Sequence, residues 1–507
     1  MSLPAKVSRA FILAVAVPGI ANAADWRITP RTDFTGTYTD NRELSNEDED
    51  TAFVAGFRPG ISAALNASRV RLLADYAVEL LVTAGGEDED RELNQFLNAN
   101  GTAEWLQDFF FTDASASIFQ QNVSIFGPIA RDNTTDTGNR ADVKTYSLSP
   151  YIRRNLRNLL TYEARYTYSI FDTDEDAVGN GDLNRIDLRL DSGPAFQTGF
   201  GVEYFTETQT IDGSDDDFTR EAVAANLRYP LTGRLNLLTT VGYEDNDFLT
   251  AGADPTGGFY SVGASWAPTP RTDLEARVGK RFFGNTAFLD LNHRTRRTIW
   301  SLRYTEDITT TQQTFFFPAA PSTAAFLDDL FTPAISDPVA RAQAVRDFIV
   351  QNGLPASFTT GQNFFSNDVF LEERLQLLMT VNLPKNTVTL SVFDQTRDSL
   401  TEGLGGVLGG GDFALADEIE EKGFSADWVW RVAPRTRLNT NLTFSKVEAS
   451  DIDRDDDILF FNTGVTRDIS RNVSAGVFFR RNQRDSNVES AEFTENAITG
   501  FLGIVYR

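Results

Sequence analysis

The sequence predicts an all-β fold, a transmembrane antiparallel up-and-down barrel of the outer-membrane type. We expect about 22 strands, within about 16 to 24, and one long helix-containing extracellular loop. Three observations carry this expectation. Strand-length segments alternate apolar and polar residues with period two. Short basic turns alternate along the chain with long acidic connections. No stretch approaches the roughly 18 consecutive apolar residues that a membrane helix needs.

The stretch from Ala426 to Val447 shows one complete unit. Ala426, Trp428, Trp430 and Val432 alternate with Asp427, Val429 and Arg431. After the turn Ala433-Pro434-Arg435-Thr436, Leu438, Leu442 and Phe444 alternate with Arg437, Asn439, Asn441, Thr443 and Ser445. In a soluble sandwich the oily faces would turn inward. Facing lipid, with the polar faces lining a lumen, they make a piece of a membrane barrel, whose backbone groups must all pair internally.

The N-terminus reads as a secretory signal peptide spanning 1–23. Lys6 and Arg9 precede the apolar run Ala10 to Val17, and Ala21-Asn22-Ala23 supplies a small-x-small cleavage pattern. Residues 24–507 then form a single barrel domain, with the protein integral to a bacterial outer membrane. The 40 Phe and 13 Tyr with a negative mean hydropathy fit strands that are oily on one face only. With no cysteine in an exported chain, a disulfide framework is excluded. A net charge of −26 argues against nucleic acid as a partner.

Ten short turns are expected, at Asn66 to Arg69, Gln107-Asp108, Leu156 to Asn158, Ser192 to Pro194, Pro230 to Gly233, Pro268 to Arg271, His293 to Arg297, Leu383 to Asn386, Ala433 to Arg435 and Ile469 to Arg471. Most recur at about 36 to 50 residues, an internal repeat of hairpin plus loop. These turns carry Arg69, Arg157, Arg234, Arg271, Arg294, Arg297, Lys385, Arg435 and Arg471. The intervening connections hold the acidic runs 42–50, 85–92, 172–182, 212–217 and 451–457. Short turns are periplasmic in such barrels, so the acidic loops are placed outside the cell. Trp26, Trp105, Trp266, Trp300, Trp428 and Trp430 all fall near short turns, as a periplasmic aromatic girdle would.

The strands Val70 to Leu80, Leu160 to Ile170 and Phe200 to Tyr204 repeat the alternation. Their polar faces, with the next strand, offer Arg71, Asp75, Glu79, Glu163, Arg165, Arg185, Asp187, Arg189, Asp191 and Glu203 as lumen-lining candidates of both signs. The last strand, from Ala497, places Ile498, Leu502, Ile504 and Tyr506 on the lipid side. It looks like the terminal strand read by the barrel-assembly machinery, but ends on Arg507. Whether FFGNT (282 to 286) is a tight hairpin or one bent strand is left open.

One connection, 309–366, breaks the rhythm. Ser336 or Asp337 can cap a helix, Pro338 suits its first position, and Val339, Ala342, Val345, Phe348 and Ile349 share a face before Gly353. This helix is expected as a lid folded into the lumen or as a surface cap. The first strand is expected directly after the signal peptide, leaving no room for the N-terminal plug domain of a siderophore receptor.

Chemistry is sparse. The single histidine, His293, falls in a periplasmic turn, whereas barrel enzymes need a general base near the outer rim. An enzyme is therefore not expected, and neither a catalytic residue nor a cofactor is assigned. Asp172, Asp174 and Asp176 have alternate-carboxylate spacing, but Ala177 and Leu183 stand where a calcium loop wants Gly and Glu, and Asp451, Asp453 and Asp455 match no better. No metal site is assigned. These runs read as solvated loops that divalent cations can bridge to lipopolysaccharide phosphates.

The segments RITPRTDFTGTYTDN, YIRRNLRNLLTYEARYTYSIFD, APRTRLNTNLTFSKVE and TEDITTTQQT resemble the outer-membrane β-barrel proteins associated with PEP-CTERM and exosortase systems, related to the β-barrel porins. That resemblance implies a barrel linked to exopolysaccharide production and envelope protein sorting, and it carries no catalytic residues. The expected partners are outer-membrane lipid and lipopolysaccharide, the barrel-assembly machinery, and an exopolysaccharide or its export machinery. Three functions compete: a channel or conduit for exopolysaccharide or small polar solutes, a non-conducting envelope scaffold, and an outer-membrane enzyme. Aromatic rings beside charges in the lumen would favour sugar, and permanent occlusion would favour the scaffold.

Overall fold

The structure, a computed structural model, describes residues 25–47, 49–84, 91–174, 180–212, 217–247, 255–316, 341, 345, 364–366, 368–400 and 412–506. The expected signal peptide, 1–23, and the centres of several acidic runs lie outside the described residues.

Twenty-two strands follow one another as a meander. They are β1 (Asp25–Thr39), β2 (Ala52–Asn66), β3 (Val70–Ala84), β4 (Arg91–Leu106), β5 (Phe110–Asn122), β6 (Arg140–Leu156), β7 (Leu160–Thr173), β8 (Gly181–Ser192), β9 (Gly199–Ile211), β10 (Phe218–Thr232) and β11 (Leu235–Asp247). The second half comprises β12 (Gly257–Thr269), β13 (Thr272–Arg281), β14 (Gly284–Arg294), β15 (Thr298–Thr310), β16 (Val369–Asn382), β17 (Asn386–Ser399), β18 (Glu418–Ala433), β19 (Thr436–Ala449), β20 (Arg454–Asp468), β21 (Val473–Ser486) and β22 (Phe493–Val505). Each pairs antiparallel with its sequence neighbours, and β22 returns to β1 over Arg31↔Val505 to Thr39↔Ala497. The sheet is therefore closed and leaves no edge to aggregate.

All ten expected short turns join strands at one end. Arg157 and Asn158 turn the chain with φ of 49° and 63°, and the Asn155 Oδ1 accepts the Asn158 N–H at 3.0 Å. Gly193 packs so closely there that a Cβ would sit 2.0 Å from the Asn158 carbonyl oxygen. At the other end, 282–283 forms a two-residue hairpin in which Arg281 faces Gly284, whose φ of +138° suits glycine alone. That hairpin settles the strand count.

Some boundaries differ from the sequence reading. Thr309 and Thr310 belong to β15, and a short helix α1 (Thr311–Phe316) follows, so the long connection runs from 311 to 368. Asp172, Gly181, Asp182 and Arg454 to Asp457 are ladder residues, because cross-strand pairing carries the strands beyond the lipid into the acidic runs.

The outer face is oily. Leu93, Val278 and Val477 are 62%, 61% and 59% exposed, and Phe34, Phe57, Ile61, Val202, Val223 and Leu227 join them. An apolar surface of this extent belongs against lipid. On β18 it runs from Phe424 through Trp430 to Val432. Nine residues at about 3.4 Å each, tilted about 40°, give about 23 Å, close to the about 25 Å band of outer-membrane barrels.

Above the band the outward side chains become charged. Glu306 faces Glu373, Asp398 faces Glu418, Glu420 faces Glu448, Glu448 faces Asp455 and Asp457 faces Asp485. Lys446 relieves some of this repulsion by bonding Glu448 at 2.8 Å and Asp455 at 2.9 Å.

Candidate functional site in the lumen

The exposed apolar residues Tyr76 and Leu80 of β3, Tyr166 of β7, Ile186 and Leu188 of β8 and Val202 of β9 take the outer face, so the ten lumen-lining candidates, which alternate with them, lie on the opposite face. Arg31 of β1 grips Asp75 through two bonds, one of them 2.6 Å, and Ser62 donates to the same carboxylate. Glu79 accepts from Asn133 at 2.8 Å. Arg165 meets Asp113 at 2.9 Å and Glu163 at 3.1 Å. Arg185 joins Asp187 at 2.7 Å and Glu207 at 3.0 Å, and Arg189 joins Asp191 at 2.7 Å. Glu203 accepts from Asn226 at 2.9 Å. Arg71 borders a recess with Asn100, Thr102, Asp113, Ser115, Ser147 and Ser149.

Aromatic rings lie under these arginines. The guanidinium of Arg165 is 3.8 Å from the Tyr151 ring centre, Arg58 is 4.2 Å from Phe96, and Arg185 is 4.7 Å from Phe205. Phe111 and Tyr151 stack with centroids 5.1 Å apart and planes at 16°. Next to them the wall is hydroxylic: Ser117 bonds Thr145, Ser149 bonds Thr167 at 2.9 Å, and Ser169 donates to Ser147 at 3.0 Å.

The loop between β5 and β6, residues 123–139, folds inward. A row of residues on the inner face of β21 holds it. Arg484 donates to the carbonyls of Gly127 (2.5 Å) and Ile125 (3.1 Å), and Asn482 donates to Ile129 at 3.0 Å. Arg480 bonds Asp132 and, at 3.1 Å, Thr134. Arg480 and Arg484 are themselves fixed by Glu495 and Asp456. Ile125 and Ile129, both fully buried, pack with Phe364, Phe370, Phe413, Ile419, Val447 and Ile458. Burial of each isoleucine stabilises the inward position by about 1.5–3 kcal/mol.

Asp412 secures the loop from the β17–β18 side. Its carboxylate accepts from the Ser124 hydroxyl at 2.5 Å and the Ile125 N–H at 2.6 Å. Burial pushes its pKa up to about 6, against the pull of those bonds and of Arg397 and Arg484.

Both ends of the long connection also meet the inner wall. Gln313 of α1 donates to Glu207 at 2.5 Å, Gln312 accepts from Gln209 at 2.7 Å, and Phe315 packs among Phe119, Phe171 and Phe365. The Phe365 N–H donates to the Val123 carbonyl at 2.8 Å, joining the two inward segments. Of the expected lid helix, Val339, Ala342, Phe348 and Ile349 lie outside the described residues, and Val345 is buried.

The inward β5–β6 loop has no counterpart in the sequence reading. A signal existed: it is a long connection with an apolar centre, SIFGPIA (124–130), unlike the acidic runs 42–50, 85–92, 172–182, 212–217 and 451–457. His293 stays at the short-turn end, its Nδ1 2.9 Å from the Thr272 hydroxyl. The six tryptophans sit at that same end, Trp26 at 52% and Trp266 at 47% exposure. The indole N–H of Trp428 donates to Asn386 at 3.0 Å, and its ring stacks on Trp430.

These features define a class, a closed barrel of the outer-membrane type with a charged lumen narrowed by inward loops. No family model matches the chain, and no curated protein matches it by sequence. Some solved structures align with it at low similarity. The siderophore receptor PirA from Pseudomonas aeruginosa aligns with a TM-score of 0.46 at 11% identity, over 95% of this chain and 80% of that one. The siderophore receptor PirA from Acinetobacter baumannii gives 0.44 at 9% identity, over 95% and 80%. Pseudomonas aeruginosa OccK5 (OpdH) gives 0.31 at 11%, over 95% and 99%.

Proposed function

We propose that this protein is an outer-membrane channel, a conduit for an exopolysaccharide in an envelope system of the PEP-CTERM and exosortase type, narrowed at its outer end by the β5–β6 loop. The observation that carries the sugar reading is the part-exposed Phe111 ring on the inner wall, backed by the buried Tyr151 and flanked by Arg153 and by the hydroxylic rows of β5 to β7. Rings of this kind stack on pyranose faces, and hydroxyl and amide groups exchange hydrogen bonds with sugar hydroxyls. Balanced charge fits a neutral or weakly charged polymer better than a selected ion. The resemblance in sequence supports the envelope system, lipopolysaccharide as a neighbour, and insertion by the barrel-assembly machinery. The isolated His293 supports a transport role over an enzymatic one.

The density of contacts around the β5–β6 loop favours a second reading, a non-conducting scaffold. Conductance of the refolded protein in a planar bilayer separates the two, measured beside a variant with 124–138 replaced by a Gly/Ser linker. Current in the variant, blocked by added oligosaccharide, is the expected result. Silence in both supports the scaffold, and current that sugars leave unblocked supports a general porin.

A further inference from the structure

Four of the ten lumen-lining candidates are arginines, and one of them differs from the rest. Arg165, Arg185 and Arg189 hold carboxylates at 2.9, 2.7 and 2.7 Å. Arg71 on β3 is exposed and has no ion pair among the described residues. The acids nearest to it are engaged elsewhere. Asp75, farther along the same face of β3, is gripped by Arg31 at 2.6 Å and by Ser62 at 2.5 Å. Asp113 is held by Arg165. Glu104, one step off the Arg71↔Thr102 pair, accepts the Asp108 N–H at 2.6 Å. The Arg71 guanidinium thus keeps its fork of donors for a ligand.

The recess that Arg71 borders has a volume of about 310 Å³, within the range of small-ligand sites. Asn100, Thr102, Ser115, Ser147 and Ser149 line it, and these short side chains leave the wall hollow between β3 and β6. The Thr102 and Ser115 hydroxyls are exposed and make no hydrogen bond among the described residues. Asp113 and Ser115 lie near the Phe110 end of β5, so the recess opens toward the short turns, away from the loop that leaves the other end of that strand.

A lone cation among neutral hydroxyls and an amide matches a sugar unit that bears a carboxylate. The carboxylate takes both arms of the guanidinium, and the wall hydroxyls trade hydrogen bonds with those of the ring. Asp113, already neutralised by Arg165, offers such a ligand little repulsion. The part-exposed Phe111 ring lies two residues back along the same face of β5, about 7 Å away, where an adjoining sugar unit can stack on it.

We propose that the Arg71 recess is a binding subsite for an acidic sugar unit, with Arg71 holding the carboxylate and Asn100, Thr102 and Ser115 the hydroxyls. This rests on the sugar-conduit reading and narrows it to a polymer with an anionic unit in its repeat.

The test is isothermal titration calorimetry on the full refolded chain in detergent micelles, with tetragalacturonate and with its neutral methyl ester. We expect the acid to bind about fivefold more tightly than the ester, the scale of an exposed charge pair, and the preference to shrink with added salt. Arg71→Gln removes the preference while leaving the ester's affinity unchanged, and Arg296→Gln, in the β14–β15 turn, keeps it. Should Arg71→Gln not refold, Arg71→Lys takes its place, with a reduced preference expected because the fork is lost. Equal affinity for acid and ester overturns the subsite and leaves the sugar reading standing, whereas binding of neither overturns both. A preference that survives substitution of Arg71 assigns the anion to other arginines and overturns the subsite. None of these readouts needs current, so failure here is separate from failure of the channel reading.

Discussion

Arg484→Ala is the perturbation that most directly probes the narrowing of the lumen. The side chain is fully buried and makes three kinds of bond: to the Gly127 carbonyl, to the Ile125 carbonyl, and to Asp456. Asp456 retains Arg454 at 2.8 Å, so the variant does not leave that carboxylate bare. What is lost is chiefly the grip on the loop, two charge-assisted hydrogen bonds of about 1.5–3 kcal/mol each at most. Asn482, Arg480 and Asp412 still hold the segment, so we take about 3 kcal/mol as the net weakening of the inward position. At about 1.4 kcal/mol per tenfold, the outward population rises by about a hundredfold. The assay is single-channel recording, with hydrogen exchange at the Ile125 and Ile129 amides as a structural check. Frequent openings and faster exchange are expected. Arg484→Lys should fall in between, because an ammonium lacks the fork that reaches two carbonyls at once. Wild-type conductance together with unchanged exchange in Arg484→Ala would refute the reasoning.

Asp412 makes the same narrowing depend on pH. Its carboxyl titrates near 6 when the loop is docked, above the usual value of about 3.9 when solvated, so the docked form binds the proton more tightly. Docking is strongest below about pH 4, weakens as pH rises through about 6, and is flat above. The total is of order 2–3 kcal/mol. Open probability should therefore grow from pH 4.5 to 7.5, and Asp412→Asn should flatten that profile. Phe111→Ala removes the part-exposed ring of the Phe111–Tyr151 stack and should weaken oligosaccharide block up to about tenfold, an aromatic pair being worth about 0.5–1.5 kcal/mol. An unchanged block constant would count against the stack. Val477→Arg puts a cation in the lipid-facing band, at a cost of about 2–4 kcal/mol near mid-membrane. Folding yield into vesicles should drop, whereas Val488→Arg, beyond the band in the β21–β22 loop, should fold as wild type.

Much of the barrel was legible because it is local chemistry. A hairpin depends on residues a few positions apart, and period-two alternation assigns each side chain to lipid or lumen without knowledge of distant strands. Arg71, Asp75 and Arg185 could therefore be placed on inner faces from their neighbours alone. FFGNT resisted for a matching reason: the two-residue turn rests on the φ of Gly284, a backbone property that alternation does not report.

Closure of the sheet and the filling of its interior are decisions of tertiary structure. The bond from Arg484 to the Ile125 carbonyl joins residues 359 positions apart, and that from Asp412 to the Ile125 N–H joins residues 287 apart. No periodicity within either segment encodes such a partner. Read alone, 124–130 is an apolar patch in a loop, and Arg480, Asn482 and Arg484 are polar residues at alternate positions of one strand. Only when twenty-two strands curve until β22 meets β1 do that row and that patch face each other across the lumen. The same arrangement leaves Arg71 without a carboxylate, since which charges meet on the inner wall depends on strand register around the whole barrel. The sequence by itself determined the alternation, the turns and the two chemically distinct ends, because each is written within a hairpin.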